Sequence, residues 1–168
     1  MQKIGRLELT WTGKYEEKEL EPRILIEDKS MSYGDPESDN MLIHGDNLLA
    51  LKALENDFTG KIRCIYIDPP YNTGNLLYKR IRILYSLLSE NGTLWISIDS
   101  TEGHYLKVMC DEIFGRQNFV SDITYEKSNV TGLGQGGAIF NTGEKILVYK
   151  KNLLELNEVL SSEKLSKK

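Results

Sequence analysis

Two hydrophobic periods alternate along the chain. Met41–His44 is a short apolar run that predicts a strand, and Gly45 turns the chain after it. Asp46 or Asn47 then suits a helix N-cap, with Leu48, Leu51 and Leu54 marking one helical face. "FTGK" reads as the loop back to Ile62–Ile67, a run apolar on both faces, as central parallel strands are. Leu77, Ile81, Leu84 and Leu88 recur at intervals of four and three, which predicts an amphipathic helix with Asn91-Gly92 as its C-cap. "TLWISID" predicts another strand. Ser100 or Thr101 then starts a further helix that Gly115 stops, and "FVSDITYEK" and "KILVYKK" supply later strands. Strand and helix alternate, so the fold class is α/β with an open, mostly parallel sheet. Three segments follow: residues 1–39 form a polar N-terminal arm in which "LELTW" and "RILIE" suit short edge strands. Residues 40–152 are the ordered domain, and residues 153–168 form a polar tail, a short helix or a frayed end. No internal repeat is visible.

Composition narrows the picture. The chain has 168 residues, 40% of them hydrophobic, enough for one domain with a core or for part of a larger one. The net charge of −4 gives no support to non-specific nucleic-acid binding, so a role on DNA has to come from a local site or from further polypeptide. Neither a signal peptide nor an apolar run of about 20 residues is evident, which points away from the membrane and to the cytoplasm. Cys64 and Cys110 sit in apolar contexts and read as reduced core thiols. His44 and His104 lack the cysteine and carboxylate company of a metal site, so no metal is expected. Lys79, Arg80 and Arg82 form a basic patch, read as a solvated helix face rather than a phosphate contact, and Trp11 and Trp95 read as packing residues.

The chemistry sits in "CIYIDPPYNTGN". A strand runs into an acid, two prolines and an aromatic: Asp68, Pro69, Pro70 and Tyr71. In open α/β sheets ligands bind beyond the carboxyl ends of strands, where Asp68 falls. Its carboxylate and the Pro69 carbonyl are hydrogen-bond acceptors, and the prolines stiffen the turn that aims them. Tyr71 offers a flat stacking face. Two acceptors and a stacking plane suit an exocyclic amine on a heteroaromatic ring, as on a base flipped out of a duplex. A plain strand-ending turn needs neither the acid before the prolines nor the aromatic after them.

This stretch resembles the catalytic motif of the amino-methylating DNA methyltransferases, above all the adenine-specific modification subunits of type III restriction-modification systems. "LELTWTGK", "EPRILIED", "MLIHGDNLLALKAL", "LLSENGTLWISID", "EGHYLKVMCDEIFG" and "KILVYKKN" agree with that family in the same order. The resemblance implies a Rossmann-like methyltransferase fold and transfer of a methyl group from S-adenosylmethionine to the exocyclic amine of adenine in DNA. By matching position it implies that Asp68 and the Pro69 carbonyl hold the amine, that Tyr71 stacks on the flipped base, and that Asn72 supports the loop. Asp46, in the "GD" pair, is a candidate cofactor contact as well as an N-cap, and Asp68 also borders the cofactor. Asp99 is a site carboxylate or, more simply, a helix cap. The implied partners are DNA, a second copy of the subunit, and a restriction subunit with nuclease and translocase activity.

Two departures from the family stand out. The Phe-x-Gly-x-Gly cofactor turn, which in this permuted family lies far toward the C-terminus, is missing, so the fold is expected to be incomplete. Gly132, Gly134 and Gly137 of "GLGQGG" fit G-x-G-x-x-G, but no helical pattern follows them, and a glycine loop is the better account. Second, Asn75 runs directly into Leu76, where the family carries a longer segment that closes over the site. The chain is therefore read as a shortened relative, or as part of a longer protein, and as inactive alone. Two other classes remain: a non-enzymatic remnant serving as a binding or assembly module, and an RNA or protein amine methyltransferase.

Overall fold

In the computed structural model, residues 8–16, 23–35, 37–69, 74–99, 101–126 and 143–154 are described. The elements are α1 (Asn47–Phe58), β1 (Ile62–Ile67), α2 (Gly74–Leu87), β2 (Leu88–Asp99), α3 (Gly103–Phe114), a 3-10 turn (Arg116–Asn118), β3 (Phe119–Glu126) and β4 (Gly143–Lys150). The strands form one sheet in the order β1-β2-β4-β3. Only β1 and β2 run parallel, and β4 pairs antiparallel with both β2 and β3. The α/β class holds, but the sheet is mixed rather than mostly parallel.

Local chemistry explains most boundaries. The Asp46 carboxylate accepts from the backbone N–H of Leu48 at 3.0 Å and of Leu49 at 3.1 Å, satisfying two orphan donors at the start of α1. Asp99 holds the turn ahead of α3, accepting from Thr101 N–H at 2.9 Å and Glu102 N–H at 2.7 Å. The residue at the N-cap of α3 is Glu102, and no side chain makes a capping bond there, neither the Thr101 hydroxyl nor Asp99; Ser100 lies outside the described residues. Gly115 ends α3 with φ of 86°, a left-handed conformation that favours glycine.

The end of α2 departs from the sequence pattern. The helix passes at Leu87 straight into β2 at Leu88, and both side chains are buried. Asn91-Gly92 lies inside the strand rather than capping the helix. Gly92 is required there for space: a Cβ on it would stand 2.8 Å from the Ile62 carbonyl oxygen and 2.9 Å from that of Ser89. The pairing of β1 with β2 shifts at this point, from Ile62 opposite Leu88 to Cys64 opposite Thr93.

The core lies on one face of the sheet. Leu94, Ile96 and Ile98 of β2 and Leu147 and Tyr149 of β4 meet Ile81 and Leu84 of α2 and Leu106, Met109, Cys110 and Phe114 of α3. Rings interlock within it: Phe114 packs against Tyr85 at 4.9 Å and Tyr149 at 5.3 Å, centroid to centroid. The Tyr149 hydroxyl donates to Asp111 at 2.7 Å, which satisfies the polar end of a fully buried ring.

Several predicted strands are absent. "LELTW" from Glu8 on, "RILIE" and Met41–His44 carry no ladder. Instead Trp11 packs edge-on against Tyr78 at 5.4 Å, and Lys14 reaches between α2 and α3. β1 has the composition of a central strand but is the outermost of the described strands; Cys64 on it is exposed and only Cys110 is a core thiol, and both are free. Trp11 and Trp95 are each half-buried. Lys79 donates to the Glu16 carbonyl at 2.8 Å and Arg80 to the Asn47 side chain at 2.7 Å, so two members of the basic patch tie α2 to its neighbours. Among the described residues no helix is long and apolar enough to cross a membrane.

Candidate active site

The carboxyl ends of β1 and β2 point the same way, because the two strands are parallel. Asp68 and Pro69 leave β1 at that edge, and Asp99 ends β2. Asp68 is exposed and Pro69 half-buried. Among the described residues the Asp68 carboxylate has no hydrogen-bond partner, in contrast to Asp99, whose Oδ1 is occupied by two backbone N–H groups. Those two bonds tie Asp99 to the turn ahead of α3. Pro70, Tyr71 and Asn72 lie outside the described residues, as do Gly132, Gly134 and Gly137.

Asp46 is exposed and caps α1 through one oxygen. Its helix start is tied to the helix that follows the candidate loop, since Arg80 Nε donates to Asn47 Oδ1 at 2.7 Å. That link joins the "GD" turn to α2, and nothing in the spacing announced it. A second group was also missed: Tyr66, two residues before Asp68, shares a 2.7 Å hydrogen bond with Ser97, two residues before Asp99. The period-2 register of paired strands was its only signal. On the neighbouring strands Tyr125 donates to Glu144 at 2.6 Å, and that carboxylate bond holds the Tyr125 hydroxyl above the usual phenol range. Among the described residues no group of histidine, cysteine and acidic side chains is arranged to hold a metal ion.

Comparison with known proteins gives this geometry its context. Residues 62–167 match the N6/N4 family of DNA methylases, more than half of the chain, and the chain belongs to that family. It is similar to the HindVI Mod subunit of a type III restriction-modification enzyme from Haemophilus influenzae, at 37% identity over 74% of this chain and 19% of that protein. It is also similar to the type III EcoP15I Mod subunit of Escherichia coli, at 32% identity over 88% of this chain and 31% of that protein. The chain thus spans a fifth to a third of the length of these relatives. The EcoP15I alignment runs over 200 positions, while 88% of 168 residues is about 148, so about 52 positions have no counterpart here. Among solved structures, the M1.HpyAVI–SAM complex shares the fold with a TM-score of 0.54 and 21% identity, covering 67% of this chain and 53% of that one.

Proposed function

We propose that this chain carries the amine-binding half of an adenine-specific DNA methyltransferase of the type III modification class, using S-adenosylmethionine. The observation that carries the reading is the exposed Asp68, with the half-buried Pro69, at the carboxyl end of β1, where an α/β sheet places its ligands. The family and the Mod relatives support the substrate class.

The residues present suit the cofactor by donor chemistry: Asp46 and Asp68 are exposed carboxylates, matched to a ligand bearing a cation and hydroxyl groups. When bound, the cofactor supplies an electrophilic methyl group. The chain's part is positioning. Asp68 and the Pro69 carbonyl accept from the adenine amine and aim its lone pair, which is worth a large share of a transfer barrier. Pro70 stiffens the turn, Tyr71 stacks on the base, and Asn72 steadies the loop. Asp68 need not be a strong base, since the alkylated amine sheds its proton readily. In the same reading residues 1–39 are an arm, 40–152 the partial catalytic domain and 153–168 a tail. The complete enzyme works in the cytoplasm on DNA, as a homodimer with a restriction subunit, and the isolated chain is inactive.

Binding of S-adenosylmethionine by calorimetry, followed by labelled methyl transfer to adenine-containing DNA in a completed chain, tests the reading. Asp68→Ala is expected to abolish transfer with cofactor binding largely intact; retained transfer overturns the assignment. Transfer to RNA or protein but not DNA would favour the other amine methyltransferases. A non-catalytic assembly module is the second reading, favoured by the sheet face that none of the described helices covers.

A further inference from the structure

Three successive residues of α2 are each tied to a different element. Tyr78 donates to Glu112 of α3 at 2.9 Å, Lys79 to the Glu16 carbonyl of the N-terminal segment at 2.8 Å, and Arg80 to Asn47 of α1 at 2.7 Å. They stand in the second turn of a helix that begins at Gly74, six residues after Asp68. The strand before Asp68 is tied as well, by the 2.7 Å bond between Tyr66 and Ser97. Pro69 and Pro70 stiffen the start of the short link to α2, so the setting of that helix bears directly on Asp68 and Pro69.

The N-terminal tie is centred on Lys14. Its side chain is fully buried, and the ammonium donates to Glu112 and to the Leu9 carbonyl, each at 2.6 Å. The rings of Trp11, Tyr15 and Tyr78 stand 5.0, 5.2 and 5.1 Å from it. Glu112 thus bridges Lys14 to the Tyr78 hydroxyl. A buried ion pair is a poor way merely to attach a segment, because well-packed apolar side chains of similar volume often hold as well or better. Apolar contact is already present at this spot, where Trp11 lies edge-on to Tyr78 at 5.4 Å. What charge and directed hydrogen bonds add is one orientation out of several.

We propose that Lys14 is a positioning residue of the amine-binding site: through Glu112 and Tyr78 it sets the second turn of α2, and with it Asp68 and Pro69. This role rests on the reading of the Asp68 carboxylate and the Pro69 carbonyl as the acceptors of an adenine amine. Lys14 acts through the helix and does not itself touch the base.

The full chain is titrated with two short single-stranded oligonucleotides that differ at one base, adenine in one and unsubstituted purine, which lacks the amine, in the other. Fluorescence anisotropy gives the ratio of their affinities. The wild-type chain should prefer adenine by about tenfold, the worth of one or two hydrogen bonds. Asp68→Ala should lose that preference, and so should Lys14→Met and Tyr78→Phe. Tyr78→Phe keeps the ring and the Lys14–Glu112 pair, so its fold should hold. In Lys14→Met/Glu112→Leu both charges are gone, and stability in urea should return toward wild type while the preference stays lost. A wild-type chain without the preference, or an Asp68→Ala chain that keeps it, overturns the reading of the site and this role with it. A wild-type preference that Asp68→Ala abolishes but Lys14→Met or Tyr78→Phe keeps overturns the role of Lys14 alone. So does a double variant that regains the preference together with its stability, because the cluster then only holds the fold together.

Discussion

Lys14 and Glu112 are 98 residues apart in the chain, and their side chains meet at 2.6 Å with exposures of 0% and 7%. The Lys14 ammonium also donates to the Leu9 carbonyl at 2.6 Å and approaches Glu8 at 3.3 Å. Trp11 and Tyr78 flank it, with ring centroids 5.0 and 5.1 Å away. The Tyr78 hydroxyl donates to the other Glu112 oxygen at 2.9 Å, and burial, then that bond, holds it above the usual phenol range. This cluster fastens the N-terminal segment to α2 and α3. Taking a buried ion pair apart typically costs about 3–5 kcal/mol, and the contacts that remain, Glu8 and the Leu9 carbonyl to Lys14 and Tyr78 to Glu112, set the loss here toward the low end. Lys14→Met and Glu112→Gln should each approach that loss in urea unfolding, and the double variant should lose less than their sum.

Gly92→Ala tests the closeness of β1 and β2. The new methyl would press on two backbone carbonyl oxygens that cannot swing aside. The expected loss is about 1–3 kcal/mol, the usual range for overpacking. An unchanged melting temperature would mean that the strands are farther apart than 2.8 Å from that Cβ implies.

Asp46 has two assignable roles, and two substitutions separate them. Asp46→Ala removes the cap of α1 and should cost about 1 kcal/mol. Asp46→Asn keeps a capping oxygen and removes the charge, so stability should hold. If the carboxylate also contacts the cofactor, Asp46→Asn weakens S-adenosylmethionine binding by calorimetry; unchanged affinity assigns Asp46 to the cap alone.

Alkaline pH should weaken the fold through Cys110 and Tyr149. Burial first, then the neighbouring Asp111, pushes both groups above their ordinary values, so the folded chain keeps protons that the unfolded chain releases. Stability is then full below the unfolded value, about 8.5 for cysteine and about 10 for tyrosine, and falls as pH rises beyond it. The slope approaches about 1.4 kcal/mol per pH unit for each group. Cys110→Ala should remove the earlier part of the decline in unfolding curves taken from pH 8 to 10.

The helical stretches were legible because local chemistry sets them. Asp46, the leucines after it and Gly115 act within a turn or two of their own position, and α1 and α3 fall where they predict. Asn91-Gly92 misled for the converse reason. An Asn-Gly pair after a helical stripe is a good local stop, but here the glycine serves a contact with Ile62, thirty residues earlier, that no local window contains. Likewise Cys64 looked like a core residue because its neighbours are apolar, and only the sheet order puts it on the outermost of the described strands.

By itself the sequence determined the α/β class, the helices, the four strands and the placement of Asp68-Pro69 at a strand's carboxyl end, all consequences of period and of residue chemistry at short range. The tertiary structure alone decided that the sheet is mixed, that Asp99 holds the turn ahead of α3, that Lys14 binds the N-terminal segment to Glu112, and that no described helix covers one face of the sheet. Strand order, pairing direction and buried ion pairs join residues distant in the chain, and hydrophobic periodicity carries no information about which distant partner will be met.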